Sequence, residues 1–279
     1  MPATEHRLVA FDKTPLFYRR VRPSGSTRAQ LIIIHGMGEH GGRYLSLAEA
    51  LSAQGVACVL PDLRGFGHSG GRRAAVRDFS DYLQDLEAVR GAAREVRNEL
   101  PFFVMGHSFG GLLATAWVAQ TAGLGCCGLI LSSPNFGIAI PIPRWQHRLA
   151  VLVSYLLPNH AEPNRVDTQR LTHDPAVMAA YPKDPLIYHR ITTRLYREMT
   201  RQFRRVPGMA RKLRCPVLLL QAGEDHVVSR EHSVRFFEFL ISGDKTLEIF
   251  DGLYHEVLNE VGREVIFAKI AGWLARRVS

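Results

Sequence analysis

A serine, an aspartate and a histidine, in that order along the chain, have the types and surroundings needed for covalent acyl chemistry. Ser108 stands at the centre of Gly106-His107-Ser108-Phe109-Gly110, directly after the apolar run Phe102-Phe103-Val104-Met105. A serine in Gly-x-Ser-x-Gly between a strand and a helix sits on a sharp turn that lifts its hydroxyl above the sheet. The flanking glycines let the strand and helix backbones approach closely. Serine is a weak nucleophile at its ordinary pKa, so such a site needs a histidine base and a carboxylate that orients it. Asp225, in Gln221-Ala222-Gly223-Glu224-Asp225-His226, follows the apolar run 217–220. It therefore falls at the carboxyl end of a strand, where open α/β sheets gather their ligand-binding groups. Glu224 is the rival carboxylate, but the shorter aspartate side chain suits a tight loop. His255, in Gly252-Leu253-Tyr254-His255-Glu256, follows the last apolar run and is preferred as base over His226.

Acyl transfer through serine also needs two backbone N–H groups aimed at the developing oxyanion. Phe109, next to the nucleophile, supplies one. The loop His35-Gly36-Met37-Gly38-Glu39-His40 follows the apolar run 31–34 and puts Met37 in position to supply the other. Competing chemistries find less support. Gly65-Phe66-Gly67-His68-Ser69-Gly70 matches G-x-G-x-x-G, but no second strand ending in an acidic residue follows about 20 positions on, so dinucleotide binding is not expected. There is no P-loop lysine pattern, no H-E-x-x-H and no C-x-x-C. The cysteines, Cys58, Cys126, Cys127 and Cys215, are read as buried free thiols suited to a reducing cytoplasm. No cofactor or metal is expected.

The elements that must hold these residues follow from periodicity. Segments 8–11 and 16–21, separated by Asp12-Lys13-Thr14-Pro15, predict a hairpin of edge strands. Near-continuous apolar runs at 31–34, 56–60, 102–105, 128–131, 217–220 and 246–250 predict strands buried on both faces. Helical patterns at 44–54, 78–99, 110–121, 230–241 and 260–276 alternate with them. This is an α/β open sheet, mostly parallel, flanked by helices. One stretch breaks the alternation: residues 134–214 form an inserted helical cap after the sixth strand, and residues 1–133 and 215–279 form the core. Within the cap, 145–157 is apolar on nearly all sides, as a helix roofing an apolar pocket would be.

The formal charge is +9, and its location is informative. Between Arg144 and Arg214 there are 14 Lys+Arg against 5 Asp+Glu, while the remainder balances at 21 and 21. Without zinc-finger spacing or an aromatic-rich RNA-binding signature, this surplus gives no reason to expect nucleic acid. No apolar run reaches the roughly 20 residues of a membrane span, and the first ten residues do not read as a secretory leader. A cytoplasmic protein is expected. Arg190, Arg194, Arg197, Arg201 and Arg204 follow 4-3-4-3 spacing, while Ile191, Leu195, Met199 and Phe203 repeat every four residues. That is an amphipathic helix with an arginine face, and it raises peripheral contact of the cap with an anionic membrane.

Four segments together resemble the monoacylglycerol lipase and lysophospholipase branch of the α/β-hydrolases. They are 35–40 with Gly42-Arg43-Tyr44, Asp62-Leu63-Arg64-Gly65-Phe66-Gly67-His68-Ser69-Gly70, the Ser108 pentapeptide with Gly111, and Tyr254-His255-Glu256. The chain order Ser, Asp, His is that of the α/β-hydrolase fold. The resemblance implies that Ser108, Asp225 and His255 form a triad, with Met37 and Phe109 as oxyanion donors. It further implies hydrolysis of a lipid ester, monoacylglycerol first, with no cofactor. A lysophospholipid, a short-chain ester or a thioester is the alternative substrate. Acyl transfer and a noncatalytic receptor on the same fold are the more distant readings.

Overall fold

The computed structural model describes residues 3–93, 100–120, 125–140, 142–164 and 166–278. Its strands, in chain order, are β1 (Thr4–Val9), β2 (Pro15–Val21), β3 (Ala29–Ile34), β4 (Val56–Asp62), β5 (Phe102–His107), β6 (Gly128–Ser132), β7 (Ala161–Pro163), β8 (Arg190–Thr192), β9 (Val217–Ala222) and β10 (Lys245–Phe250). The α-helices are α1 (Leu45–Ser52), α2 (Ser80–Ala93), α3 (Phe109–Gln120), α4 (Arg144–Leu156), α5 (Pro175–Ala180), α6 (Thr193–Phe203), α7 (Val206–Ala210), α8 (Arg230–Phe239) and α9 (Glu264–Ala275). Eight strands form one sheet in the order β1-β2-β4-β3-β5-β6-β9-β10. From β4 to β10 every pairing is parallel, and only β1–β2 and β2–β4 are antiparallel. This is the α/β-hydrolase fold.

The apolar runs are buried on both faces, which is why they lack alternation. Ile32 and Ile34 of β3 belong to a buried cluster that also holds Leu86 of α2, Leu112 of α3 and Phe236 of α8, whereas Leu31 and Ile33 belong to the cluster with Leu51 of α1 and Trp273 of α9. The hairpin differs from expectation. Pairing begins at Thr4, the turn takes up residues 10–14, and Phe11 is exposed outside the strand. Of the two hairpin strands only β1 lies at an edge, because β2 is inserted between β1 and β4. Of the helix expected over 78–99, residues 94–99 lie outside those described, as does residue 121 of the helix expected over 110–121.

Between β6 and β9 the chain adds no strand to the main sheet. It carries four helices, α4 to α7, among the described residues, together with a two-stranded antiparallel ribbon of β7 and β8. Two expectations change here. Arg190 and Ile191 belong to β8, so the helical arginine stripe starts only at Arg194. Helix α4 does not turn its bulk inward: Trp145, Leu149, Leu152 and Leu156, at i, i+4, i+7 and i+11, are exposed, and Ser154 is its one buried residue. The side toward α6 carries His147 and Ser154, bonded to Tyr196 and Arg197 at 3.1 and 3.2 Å, with Ala150 and Val151 half-buried. Of the cysteines, Cys58 and Cys215 are buried, whereas Cys126 is half-buried and Cys127 exposed, since these two precede β6 rather than lie within it.

The loop after β4 is held by charge. Arg64 donates to both carboxylate oxygens of Asp85 in α2, at 2.5 and 2.6 Å, and reaches Asp12 of the hairpin turn at 2.8 Å. Burial pushes the Asp85 carboxyl up, against the hydrogen bonds and charge of Arg64 that lower it. Removing one partner of a buried pair strands the other charge in a poorly solvated site. Arg64→Ala is expected to cost about 3 kcal/mol of stability, read as a lower urea midpoint with unchanged m.

Candidate active site

Ser108 occupies the turn between β5 and α3 with φ +52°, a left-handed conformation that costs a non-glycine residue roughly 1–2 kcal/mol. The surrounding packing enforces it. A Cβ on Gly106 would lie 2.2 Å from the Gly110 carbonyl oxygen, and one on Gly110 would lie 2.2 Å from the Ile34 carbonyl oxygen. These glycines let α3 pack onto β5 and β3 at backbone contact. The turn is also stitched to its neighbours: the Ser108 N–H donates to the Ser132 carbonyl at 3.0 Å, and the Ser108 carbonyl accepts from the Asn135 N–H at 2.9 Å.

Asp225 lies in the loop after β9. Its Oδ1 accepts from the N–H groups of Val227 and Val228, each at 2.9 Å, and its Oδ2 accepts from His255 Nδ1 at 2.8 Å and Gln221 Nε2 at 3.3 Å. Glu224, the rival carboxylate, is exposed. His255 sits in the loop after β10 with its ring almost fully buried. Burial disfavours its charged form, but the Asp225 charge and hydrogen bond, helped by Glu256 and Glu39, outweigh that and raise its pKa above the ordinary value. Asp225 is likewise held below its ordinary range: burial opposes its charge, and His255 and the Val228 and Val227 amides overcome the opposition. His226, the other histidine considered, is exposed and stacks edge-on against Tyr254.

Ser108, His255 and Met37 line a common cavity of about 400 Å³ with largely apolar walls, including Ile138, Leu171, Ile191, Met199 and Val227. Phe109 opens α3 beneath it, its ring edge-on to Phe79 and Tyr82. Among the described residues neither the Met37 nor the Phe109 N–H donates to another group. Both N–H groups are therefore without a hydrogen-bond partner of their own.

The structure also brings in residues that motif reading did not assign. Glu39 accepts from the Gly36 N–H and the Tyr44 hydroxyl, at 2.5 and 2.7 Å, and binds Arg43 at 2.6 Å. Arg43 also grips both oxygens of Glu256, at 2.7 and 2.6 Å, with its guanidinium against the Tyr181 ring. Despite burial, which acts against its charge, Glu39 is held down to about 2, chiefly by Arg43. This buried cluster clamps the loop of Met37 to the loop of His255. His107 stacks tilted on His255, and burial together with the His255 charge lowers it to about 4, so it stays neutral near pH 7. Gln221 and Asn135 complete the surroundings. The signals for Glu39, Arg43 and Glu256 lay within the motif segments, but their mutual contact did not. Among the described residues no cluster of His, Cys, Asp and Glu could hold a metal ion, and no helix is long and apolar enough to cross a membrane.

A model of the serine aminopeptidase, S33 family matches residues 25–262. The chain is 32% identical over 284 residues to the monoglyceride lipase of Rattus norvegicus, covering 98% of this chain and 90% of that one. It is 33% identical over 241 residues to the phospholipase YtpA of Bacillus subtilis, covering 86% and 92%. The crystal structure of the Paleococcus ferrophilus monoacylglycerol lipase superposes with a TM-score of 0.85 at 28% identity, over 94% of this chain and 99% of that chain. The chain spans 30% of the length of an uncharacterized abhydrolase domain-containing protein of Dictyostelium discoideum, with 29% identity over 279 residues.

The geometry predicts the titration of one imidazole. In NMR, His255 is expected to titrate above 6.5, and in Asp225→Asn, where burial remains without the counter-charge, below 6.5. An unchanged pKa in Asp225→Asn would contradict the pairing.

Proposed function

The chain belongs to the serine aminopeptidase, S33 family and is a serine hydrolase of the α/β-hydrolase superfamily, and we propose that it is a lipase of single-chain esters with monoacylglycerol as substrate. The observation that carries this reading is the His255–Asp225 hydrogen bond beside a largely apolar cavity that Ser108 also lines. Ser108 Oγ attacks the ester carbonyl carbon while His255 Nε2 takes the hydroxyl proton. Asp225 holds Nδ1, so that Nε2 is the free base, and stabilises the imidazolium that forms. The N–H groups of Met37 and Phe109 receive the negative charge on the carbonyl oxygen. His255 then returns the proton to the leaving alcohol, and the acyl group stays on Ser108. Water, deprotonated by His255, attacks the acyl-enzyme and releases the acid.

The acyl chain lies along the apolar walls of the cavity, and the segment 134–214 acts as a cap that selects it. A lysophospholipid is the second substrate considered, favoured by the arginine surplus of the cap and by the similarity to a phospholipase. The exposed face of α4, with Trp145, Leu149, Leu152 and Leu156 beside Arg144 and Arg148, has the composition of an interfacial helix. The cap therefore seats on a lipid surface.

Two measurements test these statements. A fluorophosphonate probe is expected to label Ser108 and not Ser108→Ala, and kcat/KM on medium- and long-chain monoacylglycerols should fall by about 10⁴-fold or more in Ser108→Ala. Turnover confined to two- to four-carbon esters would overturn the lipid assignment. On vesicles of phosphatidylcholine with phosphatidylglycerol, Leu149→Asp/Leu152→Asp should reduce co-sedimentation at least about fivefold, since each change places a charge where an apolar group was buried in the interface.

A further inference from the structure

Beside the Ser108 cavity lies a second, larger one of about 750 Å³. The two share Ile138, Ile140, Ile142 and Tyr196 as a common wall. The Tyr196 hydroxyl is tied to His147 Nδ1 of α4 at 3.1 Å, which fixes that wall between α4 and α6. None of Ser108, Asp225 and His255 borders the second cavity.

Its charge sets it apart. Four arginines, Arg77, Arg197, Arg201 and Arg204, line it against two acids, Asp78 and Glu198. Arg197 is satisfied: it bonds the buried Glu198 carboxylate at 2.9 Å and covers the Tyr155 ring. Arg77 meets Asp81 at 3.6 Å. Arg201 and Arg204 form no ion pair among the described residues, and both are exposed. Asp78 faces Arg201 electrostatically, but its Oδ1 is taken by the Ser80 amide and hydroxyl, at 2.9 and 2.6 Å, and these hold it below its ordinary range ahead of the arginines. Two guanidiniums without a carboxylate partner thus stand over an apolar wall that includes Ile138, Val151 and Phe203. Guanidinium forks recognise carboxylate and phosphate, apolar walls take up hydrocarbon, and the volume falls within the range of small-molecule pockets.

We propose that this second cavity binds a single-chain anionic amphiphile, with its charged head on Arg201 and Arg204 and its chain along Ile138, Val151 and Phe203. Two sources share that chemistry: a free fatty acid, and the phosphate head of a lysophospholipid. An occupant would press on Ile138, Ile140 and Ile142, which also border the Ser108 cavity. The site does not depend on the hydrolytic reading, because binding is measured without turnover.

The test is isothermal titration of Ser108→Ala protein with dodecanoate, dodecyl phosphate and dodecyltrimethylammonium, each below its micellar concentration. The same titrations are run after adding Arg201→Gln/Arg204→Gln, and separately Arg190→Gln/Arg194→Gln, whose arginines lie outside the cavity. The anions should bind and the cation should not, and affinity should fall about tenfold in the first pair, as loss of a charge-assisted contact implies. The second pair should leave it unchanged. A loss confined to dodecanoate assigns the fatty acid, and one confined to dodecyl phosphate assigns the lysophospholipid. Equal binding of the cation, unchanged affinity in Arg201→Gln/Arg204→Gln, or an equal loss in Arg190→Gln/Arg194→Gln overturns the proposal. Inactivity on every ester with intact anion binding would instead overturn the lipase reading alone.

Discussion

The site rests on one backbone constraint, the left-handed turn at Ser108. Such a conformation persists in a serine only when its surroundings over-determine it. Here the constraint is contact: α3 approaches β5 and β3 so closely at Gly106 and Gly110 that a methyl group at either would overlap a carbonyl oxygen. Relaxing the turn would require separating α3 from the sheet, and with it the packing of Phe109, Leu112 and Leu113, all fully buried. The parallel register of β3, β5 and β6 is thereby coupled to the direction of one side chain. The loops after β3, β9 and β10 reach the same end of the sheet, so Met37 and His255 line one cavity with Ser108 and Asp225 stands behind His255.

Convergence of loops does not by itself make them rigid, and the buried charges supply what sheet topology lacks. Arg43 holds Glu39 on one side and Glu256 on the other, while Glu39 braces the Gly36 amide. Buried charges are tolerated only when paired and hydrogen-bonded, and each member here has several partners. The cluster spans the gap between the loop carrying Met37 and the loop carrying His255. A displacement of about an ångström across that gap matters for chemistry that relies on preset groups. On the far side, Asp225 is fixed by two backbone amides and Gln221, so the imidazole is oriented by groups that are themselves held.

The insertion between β6 and β9 is built differently. Its helices are unequally buried: α4 has a single buried residue and α6 has five of eleven, whereas α3 in the core has eleven of twelve. It joins the buried core through Leu195, Met199, Val206 and Ala210, and it adds specific bonds, the Tyr188 N–H to the Gly38 carbonyl at 2.7 Å and the Thr192 hydroxyl to the Ala74 carbonyl at 2.6 Å. The first of these ties the insertion to the loop of Met37. Apolar residues left outside, arginines left unpaired and two cavities sharing one wall all arise because this segment packs on one side only.

Local signals determined much. The glycine spacing around Ser108, the apolar runs before Asp225 and His255, and the alternation of strands and helices are properties of a few consecutive residues, so periodicity and sterics expose them in the sequence. The core strands lie where those runs are, within a residue or two. Tertiary structure decided what depends on distant partners. Arg43 meets Glu256 across 213 residues, β2 is inserted between β1 and β4, and Arg190 is drawn out of a helical repeat into pairing with Pro163. The side of α4 that faces inward was also decided there: its apolar stripe at Trp145, Leu149, Leu152 and Leu156 is one that periodicity alone would bury, and the fold leaves it exposed. The local motif marked Ser108 as a candidate nucleophile, but only folding chose which charges surround it and which apolar surfaces remain uncovered, since both are set by long-range contacts that no short window contains.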